Sequence, residues 1–281
     1  MTIAVSAVSG QLGSTIARSL MARQTGIPII GLARSPDKVR IEGIEVRQGD
    51  YTDRAAMVRA LSGVDTLMMV SLNTPPDIRT GQHQSAIAAA KEAGVRRVVY
   101  TSVQGAEEGT AFSPVIRSNR QTEADLKASG MEWTLGRNGI YIEPDVAYID
   151  NYVRAGCIEN SAAEGRCGYT TRPELAEAYA NILLDDRHNG QTYNLHGPLL
   201  TQADLAAHLN TAFGTHLTYR PLSVEEYHAD RVAALGDMMG TIIAGIYEGI
   251  RCGAMDRPSD FEAAAERPHQ SWEDYFATSR A

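Results

Sequence analysis

The residues best placed to do chemistry stand at the start of the chain, Ser6-Ala7-Val8-Ser9-Gly10-Gln11-Leu12-Gly13, with Arg34 following at the end of the next apolar run. Amides at a helix start lack intrahelical acceptors and carry the positive end of the helix dipole. A pyrophosphate lying across such a turn therefore gains hydrogen bonds and charge complementarity. Gly10 lets backbone approach phosphate, and Gly13 lets the helix pack closely on the preceding strand, as in a dinucleotide fingerprint. Ala7 stands where that fingerprint has glycine, so this copy reads A-x-x-G-x-x-G. With no ligand, the same residues would be a glycine-rich strand-to-helix turn. Arg34 ends the run Ile27 to Ala33, where NAD enzymes place an acid against the ribose 2′-hydroxyl. A guanidinium pairs bidentately with a 2′-phosphate that a carboxylate would repel. Arg34, with Ser35 and Lys38 beyond it, points to NADP rather than NAD.

The elements that must position these residues alternate through the first half of the chain. Apolar runs predict strands at Thr2 to Val5, Ile27 to Ala33, Gly43 to Arg47, Thr66 to Ser71, Arg97 to Thr101 and Trp133 to Arg137. Helical spacing follows the first turn and recurs over Arg54 to Leu61, Gly81 to Ala93 and Pro114 to Ala128, with Pro75-Pro76 marking a loop. This is the pattern of an α/β protein, a Rossmann-type doubly wound parallel sheet with its ligand crevice beyond the carboxyl ends of the strands. The polar strand ends to watch are Asp50, Ser71 with Asn73, Thr101 with Ser102, and Arg137 with Asn138. Farther on, helices are expected over Pro173 to Leu184, Thr201 to Phe213, Val224 to Leu235 and Met238 to Arg251, and a strand over Thr192 to Leu195. The expected division is a Rossmann domain over 1–140, completed by about 167–197, and a smaller, mainly helical lobe of 141–166 and 198–281. Such a tail suits a lid, core closure or an oligomer contact, a homodimer being the simplest assembly.

The 281 residues carry a formal charge of −8, which leaves no global basic field for nucleic acid. No signal peptide or membrane-length apolar run is legible, so a cytoplasmic location is expected. Three cysteines, Cys157, Cys167 and Cys252, form no C-x-x-C pair and read as free thiols, a Cys157–Cys167 bridge being the alternative. The seven histidines show no metal-ligand spacing, and no metal is expected.

Gly10-Gln11-Leu12-Gly13, Ala33-Arg34-Ser35-Pro36, Gln48-Gly49-Asp50-Tyr51, Val99-Tyr100-Thr101-Ser102 and Arg137-Asn138-Gly139-Ile140-Tyr141 follow one another in an order that resembles the NmrA-like atypical short-chain dehydrogenases. Among these the likeness is greatest to the bacterial NAD(P)H:quinone oxidoreductases of type 2 and the triphenylmethane reductases. It extends to Thr192-Tyr193-Asn194-Leu195 and to the tail from Glu266-Arg267-Pro268 through Phe276. The resemblance implies an NADPH site with Arg34 on the 2′-phosphate, Asp50 near the adenine, and Ser71, Thr101 and Asn138 along the ribose and nicotinamide. The full candidate set is Ser6, Ala7, Ser9, Gly10, Gln11, Leu12, Gly13, Arg34, Lys38, Asp50, Tyr51, Ser71, Leu72, Asn73, Thr101, Ser102 and Asn138. Tyr141 and Ile142 would border the acceptor. The bland alternatives are a helix cap for Asp50, a cap or turn for Thr101-Ser102 and satisfied loop backbone for Asn138.

Ordinary short-chain dehydrogenases use a Tyr-x-x-x-Lys pair, in which lysine lowers the tyrosine pKa. Here the only lysines are Lys38, Lys91 and Lys127, and none has a tyrosine four residues before it. By the resemblance, Asn119 occupies the tyrosine's place, or that of the catalytic lysine of isoflavone-reductase-like enzymes, and Glu123 follows four residues later. A neutral amide is no proton donor. Hydride transfer to a quinone or dye avoids the need, because water can protonate the product and the enzyme has mainly to position the reactants. The expected function is therefore NADPH-dependent reduction of a quinone-like acceptor, with Asn138 and Tyr141 in positioning roles. The alternatives are an NmrA-like dinucleotide sensor without turnover and, more distantly, a nucleotide-sugar epimerase or dehydratase.

Overall fold

A computed structural model of the chain describes residues 1–105 and 113–278. The first half alternates β1 (Ile3–Val5), α1 (Gln11–Ala22), β2 (Ile29–Ala33), β3 (Glu45–Gln48), α2 (Arg54–Ala60), β4 (Thr66–Met69), α3 (Pro76–Glu92), β5 (Arg97–Val103), α4 (Pro114–Ala128) and β6 (Glu132–Asn138). Then come β7 (Ile140–Tyr141), α5 (Glu143–Ala147), α6 (Ile149–Ala155), β8 (Cys157–Asn160), β9 (Cys167–Thr170), α7 (Arg172–Leu184), β10 (Thr192–Leu195) and β11 (Leu199–Leu200). The chain ends through α8 (Gln202–Phe213), β12 (Thr218–Pro221), α9 (Val224–Leu235), α10 (Asp237–Arg251), α11 (Phe261–Ala265) and α12 (Trp272–Thr278).

Seven strands form one parallel sheet in the order β10-β6-β5-β4-β1-β2-β3. The central strands β1 and β4 are buried throughout, as parallel strands covered by helices on both faces must be. Val5, Met68 and Val99 pack with Ile16 and Leu20 of α1 and Leu175, Tyr179 and Leu183 of α7 on one face. Ala4, Leu67 and Tyr100 pack with Met57 of α2, Ala86 and Ala90 of α3 and Leu126 of α4 on the other. At the edge, β3 carries Glu45 and Arg47, which pair at 2.8 Å and discourage further strand addition. The order reverses between β1 and β4, so the crevice opens at the carboxyl ends of these two strands.

Two differences from the sequence reading have local causes. Pro76 is the first helical residue of α3, a position where the missing N–H costs nothing, so Pro75-Pro76 starts the helix instead of forming a loop outside it. The second half holds more than helices. A three-stranded sheet, β11-β9-β7, and a two-stranded one, β12-β8, lie in it, built of strands of two to four residues that are too short to show a period. The tail is pinned to α7, where Arg267 grips both oxygens of Glu174 at 2.7 Å. All three cysteines are free thiols. Among the described residues no helix is long and apolar enough to cross a membrane.

Candidate active site

The first turn is shaped around something its own side chains do not fill. Ala7 adopts a left-handed φ of 53°. A Cβ on Gly13 would lie 2.5 Å from the Ala7 carbonyl oxygen and 2.7 Å from that of Ser6, so only glycine lets α1 start this close to β1. No side chain caps α1 and no acid stands in its first turn. By contrast α8 and α9 satisfy their own first turns with capping boxes, Thr201 with Asp204 and Ser223 with Glu226. Ser9, Gly10 and Gln11 are exposed above the turn, while Leu12 is buried beneath it. A cradle of backbone, free amides and no carboxylate fits a dinucleotide pyrophosphate.

Arg34 and Lys38 are exposed at the end of β2 and just beyond it, and neither side chain has a hydrogen-bond or ion-pair partner among the described residues. Asp50 turns onto its own loop, accepting from the Thr52 amide at 2.9 Å and hydroxyl at 2.8 Å. It is Asp53 that caps α2, through the Ala56 amide. Two expected ligand contacts change character. The buried Ser6 hydroxyl accepts from the Val70 amide at 2.8 Å and meets the Tyr51 hydroxyl at 2.7 Å, and Tyr51 donates onward to the Val70 carbonyl at 3.1 Å. Both side chains therefore lock the ends of β1 and β4 together.

At the other end of the crevice Thr101 Oγ1 accepts from the Ser71 amide at 2.7 Å, and the Leu72 amide donates to His83 Nε2 at 3.2 Å. Since Nε2 is the acceptor, the imidazole proton lies on Nδ1, toward Thr122 Oγ1 at 2.9 Å. Burial, reinforced by the charge of Arg79, pushes the His83 pKa down to about 3, so the ring stays neutral. Asn119 Oδ1 receives the hydroxyls of Tyr100 and Ser71, and the residue is buried on α4. Asn73 stays exposed at the rim. Asn138 Oδ1 accepts from the buried Tyr179 hydroxyl at 2.6 Å, and the Asn138 side chain beside Tyr141 partly offsets the burial that raises the pKa of that phenol. One face of the Tyr141 ring is covered by the Arg172 guanidinium, 4.5 Å from the ring centroid. Asn138 is thus fixed through its oxygen by Tyr179, with Tyr141 beside it.

Ser102, next to Thr101, points to the opposite face of the sheet and donates to Glu123. Glu123 is also gripped by Arg137 through Nε at 3.1 Å and Nη2 at 2.7 Å, and by Arg120 at 2.8 Å. This buried ion cluster ties α4 to β5 and β6 directly under the crevice.

Asp145, on α5 just past Tyr141, is buried and accepts from the Tyr152 hydroxyl at 2.7 Å. The other groups acting on this cluster are Cys167 and Tyr169 of β9, Tyr227 of α9, Tyr247 of α10 and Tyr148, and the cation near them, Arg231, lies over the Tyr227 ring and acts on that phenol. Burial raises the Asp145 pKa from 3.8 to about 6, so its stabilising influence is complete below pH 4 and is lost as the pH rises through 6. Asp145→Asn is accordingly expected to stabilise the fold at pH 7.5 by about 3 kcal/mol and to change little at pH 4. Urea unfolding at the two pH values checks this, and an equal effect at both would refute it.

Of the residues not singled out from sequence, His83 and Arg79 lie four apart on α3, and their shared face was obscured because the helix seemed to start later. Tyr179 belongs to a helix that reads as plain core. A cavity of about 580 Å³ opens at the opposite, amino edge of the sheet, between Leu20, Pro28, Ile44 and Ser62. It holds no chemistry beyond the Glu45–Arg47 pair. Among the described residues no three histidine, cysteine or acidic side chains converge as a metal site would require.

A family model described as NAD(P)H-binding matches residues 8–186. Quinone oxidoreductase 2 of Escherichia coli is 35% identical over 231 residues, 81% of this chain and 80% of that protein. The crystal structure of an E. coli NADPH-dependent quinone oxidoreductase complexed with NADPH superposes with a TM-score of 0.90 at 31% identity, covering 99% of each chain. The Citrobacter triphenylmethane reductase complexed with NADP(H) gives 0.88 at 29% identity, covering 100% of each.

Proposed function

We propose, from the premise that this chain belongs to the NAD(P)H-binding family, that it is an NADPH-dependent reductase acting on a quinone-like or otherwise conjugated acceptor. Oxidoreduction with a nicotinamide dinucleotide is the common ground of the relatives, and the finer reading rests on this chain's own residues. The observation that carries it is the uncapped, acid-free start of α1 beside an unpaired Arg34. The α1 amides would hold the pyrophosphate, with Gly10 and Gly13 giving it room. Arg34 and Lys38 would hold the 2′-phosphate, and Asp50 the adenine side. Ser71, Leu72, Asn73 and Thr101 would wall the ribose. Residues 1–140 and about 167–197 are read as the cofactor domain, and 141–166 with 198–281 as the acceptor lobe.

NADPH, when bound, supplies the hydride. The chain's part is to hold the nicotinamide and the acceptor against each other. Asn138, fixed by Tyr179, would position the neighbouring Tyr141 phenol so that it can donate to an acceptor oxygen. No Tyr-x-x-x-Lys pair exists in the sequence to act as a proton donor. A conjugated acceptor spreads the charge it gains over its ring system and can take its proton from water, which is why this class suits the site. The test is NADPH oxidation with 1,4-benzoquinone and a triarylmethane dye, each repeated with NADH. Turnover with NADPH preferred is expected. Tight NADPH binding with no turnover on either acceptor would overturn the reading and leave a dinucleotide sensor.

A further inference from the structure

Three arginines are buried in the described structure: Arg79, Arg97 and Arg137. Arg137 is held by Glu123 at 2.7 Å. Arg97 bonds the Asp185 carbonyl at 3.1 Å and the Thr134 hydroxyl at 3.0 Å, with Asp186 at 3.5 Å. Arg79, only 5% exposed, has no carboxylate partner among the described residues. Among those residues its single hydrogen bond is a long one, 3.5 Å from Nη1 to Ser118 Oγ, and its Nε has no partner. A guanidinium remains charged at any physiological pH, so burying it without a counter-ion is costly unless something else supplies the negative charge.

The position of Arg79 says where that charge would come from. It lies in the second turn of α3, beyond the carboxyl end of β4 and after the Ser71–Asn73 rim. Its neighbour Ser118 directly precedes Asn119, whose oxygen takes the hydroxyls of Ser71 and Tyr100. The 15-residue helix α4 that carries Ser118 has no side-chain cap and no acid in its first turn, because the Ser113 hydroxyl is spent on the Ile242 carbonyl. Ser118 lies past the first turn of that helix, so the guanidinium itself is the positive charge at this spot, and His83, the other titratable group on this face of α3, is neutral.

We propose that Arg79 is an anion-binding residue of the acceptor pocket, taking a carboxylate, sulfonate or phenolate oxygen of a planar conjugated ligand. The word acceptor rests on the reductase reading above, whereas the anion site does not. The same charge would stabilise the oxyanion that reduction leaves on a quinone, which a site lacking a strong acid needs.

The experiment is calorimetric binding of two redox-inert probes, naphthalene-1-sulfonate and its neutral sulfonamide, to the full chain with and without NADP⁺. Wild type is expected to favour the sulfonate by about 30-fold, Arg79→Met to bring the ratio close to one, and Arg79→Lys to fall between. The unfolding midpoint of ligand-free Arg79→Met is expected at or above that of wild type, since an uncompensated buried charge has been removed. A wild-type ratio of one, or a ratio retained in Arg79→Met, would overturn the proposal. So would a loss of NADPH affinity in that variant, which would assign the guanidinium to the cofactor, or a lowered midpoint in both variants, which would make it a packing residue. Failure of the reductase reading would appear in the turnover assay and leave the binding ratio standing.

Discussion

Arg34→Ala is expected to weaken NADPH binding about 100-fold while changing NADH binding by no more than about threefold, the difference expected from one bidentate, charge-assisted pair. The side chain is exposed and has no hydrogen-bond or ion-pair partner among the described residues, so its removal is expected to leave the fold as it was. Its loss therefore reads as lost recognition alone. Arg34→Lys should keep part of the preference, because an ammonium supplies charge without the fork geometry. Arg34→Glu should reverse it, by repelling the 2′-phosphate and offering an acceptor to a 2′-hydroxyl. Because the pair would be exposed, the preference should narrow as ionic strength rises. Fluorescence titration of both dinucleotides at two salt concentrations measures all of this, and an equal loss for NADPH and NADH would remove Arg34 from the site.

Glu123→Ala is expected to destabilise the protein by about 3 to 5 kcal/mol, the usual effect of removing one partner from a buried ion cluster. Glu123 receives four donors from three residues, Ser102, Arg120 and Arg137, and is 3% exposed. Glu123→Gln should fall between, since an amide oxygen still accepts from Arg137 but carries no charge. The variant should also lose turnover, because Ser102 and Arg137 flank Thr101 and Asn138 in sequence and set the strand ends that shape the crevice. Urea unfolding gives the first number and NADPH oxidation the second. A midpoint like that of wild type would show that Arg120 and Arg137 do not depend on this carboxylate.

By the family resemblance Asn119 and Glu123 stand at the reactive positions of ordinary relatives, and the structure gives both of them structural work. That distinction was not legible in the sequence. What could be read was local: apolar runs of strand length, helical spacing, a glycine turn and a cation at a strand end. These suffice for the seven parallel strands and for the two ends of the proposed dinucleotide site. The Ser6–Tyr51–Val70 lock joins residues 45 and 64 positions apart, and no spacing rule reports it. Arg79 was hidden by Pro75-Pro76, which reads as a loop until Pro76 is seen to begin α3. The short strands β7, β8, β9, β11 and β12 escape for a different reason, since they are fixed by pairing partners far along the chain.

Ala7, with φ at 53°, carries a further consequence. Holding an alanine in the left-handed region costs about 1 kcal/mol relative to glycine. Glycine would relieve that strain, and although it would also widen the range of conformations open to the unfolded chain, at a positive φ the strain is the larger of the two. Ala7→Gly is therefore expected to leave the turn in place and to stabilise the fold slightly, so the missing glycine of the fingerprint is a small strain that the rest of the fold carries.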